Sequence, residues 1–233
     1  MERVTHETCL EYFHRRLSEG WKCISLDGYN AILQSPEGVL RPVDLRHAIE
    51  TLRPIGVGDI TNIPTVFGAL THWEAVDDPG AGDDDATYVV HDTEFPDARY
   101  DLYELANTAL VGETINSVRT YARMRVVNLG NAGNGRTVIL TAAAEHRGAN
   151  NVLPFAYALY STLYALNPET GLAWTVALIN ALQPGVDLTN DLVKLWAQPR
   201  CTQVYVEVDY TEAGGLGNKS AGMSAKMVAA ELI

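Results

Sequence analysis

Three consecutive aspartates, Asp83, Asp84 and Asp85, follow Asp77 and Asp78 and make the densest group of hard oxygen donors in the chain. Calcium takes six to eight oxygens and often draws them from carboxylates clustered on loops, so a calcium site at Asp83, Asp84 and Asp85 is one expectation. The D-x-[DN]-x-[DN]-G spacing of an EF-hand is missing. A solvated acidic loop is the other reading, because loops are polar by default. The second group is cationic. Arg119, Tyr121, Arg123 and Arg125 alternate with Val118, Thr120, Ala122, Met124 and Val126, which in a strand places the arginines and the tyrosine together on the outward face. Stacked Arg and Tyr could hold a glycan or an anionic partner surface. They could equally pair with acids on neighbouring strands, from the 92–104 region.

Tryptophans can form sugar platforms, and Trp73, Trp174 and Trp196 invite that comparison. Trp174 falls on the apolar face of a helical pattern and belongs in a core. Trp73, beside the acidic loop, is the better placed for a glycan or partner contact. Trp21 opens a strand and should pack on the helix before it.

Catalytic patterns fail on spacing. Asp92 and Glu94 could act as a carboxylate pair, but glycoside hydrolysis needs two carboxyls about 5–10 Å apart across a cleft, and so exposed an acidic run argues against one. The stretch from Ala213 to Ser220 resembles a phosphate loop, yet Asn218 stands where glycine must precede the lysine. Gly130, Gly133 and Gly135 have the wrong order for a dinucleotide fingerprint. The six histidines lack ligand spacing, and no G-x-S-x-G elbow occurs. The expectation is a protein that is not an enzyme and carries no cofactor beyond the calcium just considered.

Charge narrows the partners. The chain of 233 residues has a net charge of -12. Residues 74–104 hold eleven acids against one base, Arg99, and so supply -10 of it. Phosphate affinity is carried by Lys and Arg, so direct nucleic-acid binding is not expected. Cys9, Cys23 and Cys201 are odd in number and widely spaced, which reads as reduced, mostly buried thiols. No apolar run reaches the ~18 residues of a membrane span. The charged start, Met1-Glu2-Arg3, lacks a signal-peptide core, so folding in a cytoplasm is the default expectation.

Three zones position these groups. Residues 1–40 read as a helix capped by Thr5, with Leu10, Phe13 and Leu17 on one face and Gly20 as its stop. A hairpin turning at Asp27-Gly28 and a second turn at Pro36-Glu37-Gly38 follow. Residues 41–210 read as a β-sandwich or jelly roll, with strands over 48–52, 87–91, 117–127, 137–143, 155–166 and 202–210. In the last of these, Val204, Val206 and Val208 share one face and Tyr205, Glu207 and Asp209 the other. Residues 128–135 suit a loop, and Trp174, Ala177, Leu178, Ala181 and Leu182 suggest one helix stopped by Gln183-Pro184-Gly185. Residues 211–233 form a tail in which Ser224 could cap a short helix bearing Met227, Val228, Leu232 and Ile233. The fold class expected is mainly β, an antiparallel sandwich with a helix-hairpin arm and a C-terminal tail. Leu10, Phe13, Leu17, Met227, Val228 and Leu232 are the candidate assembly contacts on those arms.

The order Leu52-Arg53-Pro54, Gly58-Asp59, Thr61-Asn62, Trp73, Val76-Asp77-Asp78, Asp83-Asp84-Asp85 and Thr87-Tyr88-Val89 resembles a β-sandwich module that recurs in phage and prophage structural proteins. The likeness continues through Tyr100-Asp101-Leu102, the stretch from Thr114 to Val118, Ala122-Arg123, Arg125, Asn167-Pro168, Thr170-Gly171, Trp174-Thr175 and the closing 202–210 strand. It covers about residues 48–210. What it implies is a jelly-roll-like, non-enzymatic virion protein serving as head decoration, connector or tail component. Such a protein is made in the host cytoplasm and assembles as a homo-oligomer with other virion proteins, without a membrane. A carbohydrate-binding or receptor-attachment module on a surface glycan is the alternative.

Overall fold

The structure is a computed structural model that describes residues 9–27, 30–44, 47–80, 82–93, 97–127, 133–142, 144–190 and 197–211. Expectations placed on Thr5, Gly28, Glu94, Trp196, residues 128–132 and 212–233, with Met227, Val228 and Leu232 among them, lie outside the described residues. Chain contacts divide the protein into two units, one of them Glu50–Val111 with Ile115–Asp209 and the other the remainder.

The smaller unit contains α1 (Cys9–Ser18) and an antiparallel sheet of β1 (Lys22–Asp27), β2 (Asn30–Gln34) and β3 (Leu40–Asp44). Leu10 and Phe13 fall on α1, as does Leu17, which is half-buried. Gly20 ends the helix at φ +87°, with its N–H on the Leu17 carbonyl and the Trp21 N–H on the Arg16 carbonyl. That 5→2 and 6→1 pairing is a Schellman stop, which only a residue at ease with positive φ can make. Trp21 packs back on the helix, its ring 4.9 Å from the Arg16 guanidinium. Asp27 lies opposite Asn30 in the hairpin, and Gly38 closes the next turn at φ +88°. Of the thiols expected to be mostly buried, Cys23 is exposed and Cys201, on β15, is buried.

The remaining elements, in the larger unit but for the first three residues of β4, Thr114 of β9 and the last two of β15, are β4 (His47–Leu52), β5 (Pro54–Thr61), β6 (Thr65–Phe67), β7 (Tyr88–Val90), β8 (Ala98–Leu105), β9 (Thr114–Val126), β10 (Gly133–Leu140), β11 (Glu145–Arg147), β12 (Asn151–Val152), β13 (Ala158–Tyr164), α2 (Val176–Asn180), β14 (Gln183–Asn190) and β15 (Pro199–Thr211). One sheet runs β11-β10-β14-β8-β5 with β12 on β10, and the other runs β13-β9-β15-β7-β6 with β4 on β15. The antiparallel sheets face each other as a β-sandwich. Tyr103, Val186 and Leu188 from the first meet Val89, Ala122, Met124, Val126, Cys201 and Val204 from the second. Burial of this apolar area, worth about 25 cal/mol per Å², is the main force holding the sheets together. Val204, Val206 and Val208 are fully buried while Tyr205, Glu207 and Asp209 are not, as period two requires.

Local composition misleads at two places. Gln183-Pro184-Gly185 is not a helix stop but the start of β14, which lies between β10 and β8. Gly185 is needed there, since a Cβ would come 1.9 Å from the Asp101 carbonyl oxygen. The preceding helix is only five residues long, capped by Thr175, whose side chain accepts from the Leu178 N–H. Trp174 comes before it, and the buried side chains are Trp174, Ile179 and Leu182 rather than Ala177 and Ala181. Gly133 and Gly135, expected in a loop, begin β10, where a Cβ on Gly135 would meet the Met124 sulfur at 2.6 Å. Close approach of two layers, not a turn, explains those glycines.

Candidate functional site

The acidic loop and the arginine strand are two halves of one site. Asp83, Asp84 and Asp85 of the loop reach Arg123 and Arg125 on β9 and Arg200 and Thr202 on β15. Alternation along β9 places Arg123 and Arg125 on one face, and the aspartates arrive at the same place. Arg123 donates to Asp84 Oδ1 from Nε at 2.8 Å and from Nη2 at 2.7 Å. Arg125 Nη2 meets both oxygens of Asp85, at 2.6 and 2.7 Å, and Arg200 Nη1 approaches Asp85 at 3.4 Å. The acids come from the 83–85 loop rather than from residues 92–104.

Aromatic rings are threaded between the cations. Tyr157 donates its hydroxyl to the Asp84 carbonyl and to Asp85 Oδ1, both at 3.2 Å. Its ring lies 5.4 Å from the Arg123 guanidinium and 4.8 Å from that of Arg125. Arg200 covers Tyr88 at 4.2 Å, and Tyr88 stacks on Phe67. Partial burial, with Asp85 beside it, pushes the Tyr157 hydroxyl well above its ordinary pKa, so it stays a donor.

The loop's other groups tie it to β15. Asp83 accepts from the Thr87 N–H and hydroxyl and from the Thr202 hydroxyl. Gln203 Nε2 donates to the carbonyls of Asp78 and Gly80, at 2.8 and 3.0 Å, and Arg53 Nη1 donates to the Asp78 carbonyl as well. Burial, and after it Asp83, raises the Asp78 carboxyl to a pKa of about 6. Asp84 adopts φ +55°, the left-handed region that aspartate tolerates better than most residues.

This geometry decides how the candidate residues are used. The carboxylates of Asp84 and Asp85 are engaged by guanidinium groups and that of Asp83 by hydroxyls. Among the described residues no three His, Cys, Asp or Glu side chains come together as metal ligands. Tyr121 is not an outward contact: it is 1% exposed, stacks on Tyr205 at 4.5 Å and donates its hydroxyl to Glu207 at 2.6 Å. Arg119 lies further along β9, half-buried, opposite Leu163. Trp73 is half-buried and packs against the core, while Trp174 is buried and donates its indole N–H to the Tyr164 carbonyl. Asp92 accepts from Thr65 at 3.0 Å.

Two polar clusters escape sequence reading. Asp101, fully buried, accepts from the Asn62 and Ile63 N–H groups, from the Tyr103 hydroxyl and from His72 Nδ1 at 2.6 Å. Four donors satisfy the charge and pin the 62–72 segment to β8. On the same sheet, Arg136 and Arg147 both bind buried Asp187, and Arg147 lies 4.5 Å above the Tyr100 ring. The one available signal was an aspartate, Asp187, inside an otherwise uncharged run from Leu182 to Leu188.

No family model matches the chain, and no curated protein matches it. Among solved structures, it overlays on the CBM22-1-GH10 modules of Clostridium thermocellum xylanase 10B, complexed with xylohexaose. That overlay has a TM-score of 0.34 and 9% identity, over 73% of this chain and 30% of that one. It overlays on the Stig cyclase Fisc from Fischerella sp. TAU with a TM-score of 0.34 and 14% identity, over 81% of this chain and 93% of that one. It also overlays on a chain of infectious bursal disease virus, Gt strain, with a TM-score of 0.32 and 11% identity, over 83% of this chain and 38% of that one. Likenesses at this level carry no argument about function.

Proposed function

We propose that the chain is a non-enzymatic structural subunit of a virion, working through protein–protein contacts with copies of itself and with neighbouring virion proteins. Head decoration, a connector or a tail component are the positions it would take. The observation that carries the contact-making role is the exposed apolar face of β13, where Leu159 and Leu163 are 47% and 51% exposed. Phe155, Leu166 and Leu172, in the same stretch of chain, are 44–68% exposed as well. Exposed apolar side chains brought together mark interaction sites. The virion assignment adds the order of residues over 48–210 that resembles phage structural modules.

The carbohydrate reading needs rings and cations facing water. Here Trp73 packs inward, Tyr121 is covered, and Arg123 and Arg125 are neutralised within the chain. Light scattering after size exclusion tests the proposal. A discrete oligomer or polymer of the full-length protein supports it. A monomer retained by immobilised glycans overturns it in favour of a binding module.

A further inference from the structure

The β13 strand ends its sheet: it pairs with β9 on one side, and among the described residues no strand pairs with the other. Natural edge strands are guarded by charges, prolines, bulges or brevity. This one has seven residues, and the chain holds no charged residue from 148 to 168. In a protein of net charge -12, that neutral margin is where two copies can approach without like-charge repulsion. Along it, Leu159 and Leu163 are 47% and 51% exposed, with exposed Ser161 midway between them on the same face.

We infer that two copies pair antiparallel through the outer edges of β13, about a two-fold axis at Ser161. The inference rests on the reading of the chain as an assembly subunit. In that register Leu159 falls opposite Leu163 of the second copy, Tyr160 opposite Thr162, and Ser161 opposite itself. Each leucine gains an apolar cross-strand neighbour, and the exposed N–H and C=O groups gain partners. The Trp174 indole bonded to the Tyr164 carbonyl marks where the open run stops. So short an edge buries less than a standard interface, about 1,200–2,000 Å², and makes a reversible contact rather than an obligate one.

The register gives a specific test in the full chain carrying Cys9→Ser and Cys23→Ser. Cys201 is buried, and its thiol is pushed up to about 12, so it stays inert. Cα atoms facing each other across an antiparallel pair are about 4.5–5.5 Å apart, within disulfide reach. Ser161→Cys should therefore give a disulfide dimer on mild oxidation. Leu159→Cys alone should not, since its symmetry mate lies four residues along the strand, roughly 13 Å away. Leu159→Cys with Leu163→Cys should again cross-link. Sedimentation up to about 0.1 mM, where contacts of this size associate, should show a dimer that Leu163→Lys abolishes with the circular dichroism spectrum unchanged. A wild type that stays monomeric overturns the inference together with self-assembly. An oligomer indifferent to Leu163→Lys, with no Ser161→Cys cross-link, overturns the edge contact alone and leaves the assembly role standing.

Discussion

Asp85 grips Arg125 through both carboxylate oxygens, at 2.6 and 2.7 Å from Nη2, across 40 residues of chain. The Asp85 side chain is 52% exposed, so solvent screens the attraction. A double-mutant cycle with Asp85→Ala and Arg125→Ala should give a coupling of about 0.5–1 kcal/mol in urea denaturation. No measurable coupling would mean that hydroxyl and backbone bonds alone hold the loop.

The same engagement bears on metal. With Asp84 and Asp85 on guanidinium groups, calcium at about 1 mM, enough for the weaker extracellular sites, should leave the Tm unchanged. A rise would show that the carboxylates leave their arginines for the ion.

Acid should act on Asp78 in the unusual direction. Its folded pKa, about 6, lies above the ordinary 3.8, so the fold disfavours the ionised form. This group's contribution is greatest below the unfolded pKa, declines as pH rises toward about 6, and is flat beyond. Urea midpoints from about pH 4 to about pH 7 should therefore decline more steeply in the wild type than in Asp78→Asn. Parallel profiles would show that the carboxyl titrates normally.

Two glycines should separate backbone from side-chain crowding. A Cβ at Gly135 meets the sulfur of Met124, at the flexible end of that side chain, so Gly135→Ala should destabilise by about 1–3 kcal/mol and still fold. At Gly185 the obstacle is the backbone oxygen of Asp101, which cannot move without parting β14 from β8. Gly185→Ala should yield no soluble protein. Equal solubility and stability for the two variants would count against this assignment of their roles.

Strands with a strong period were legible: β9 and β15 show their alternation in Val118–Val126 and Val204–Val208. β14 and β5 were not, because Pro184, Gly185, Gly56 and Gly58 read as punctuation when they serve close contact between strands. The site was half legible. Both charged groups stand out in sequence, yet nothing local says that Asp84 meets Arg123. That meeting depends on a loop packing on a strand 39 residues away. Arg200, Thr202 and Gln203 were missed for the same reason, since their partners lie over a hundred residues earlier.

The strand that closes the second sheet is the last described in the chain. β15 lies between β9 and β7 and supplies Cys201, Val204, Val206 and Val208 to the interior. A ribosome must therefore extrude the chain through Thr211 before that sheet has its middle. Until then the edges of β9 and β7 that pair with β15 have no partner, the condition in which nascent β-proteins aggregate or recruit chaperones. Premature termination before residue 199 leaves a product with an open sheet rather than a smaller domain.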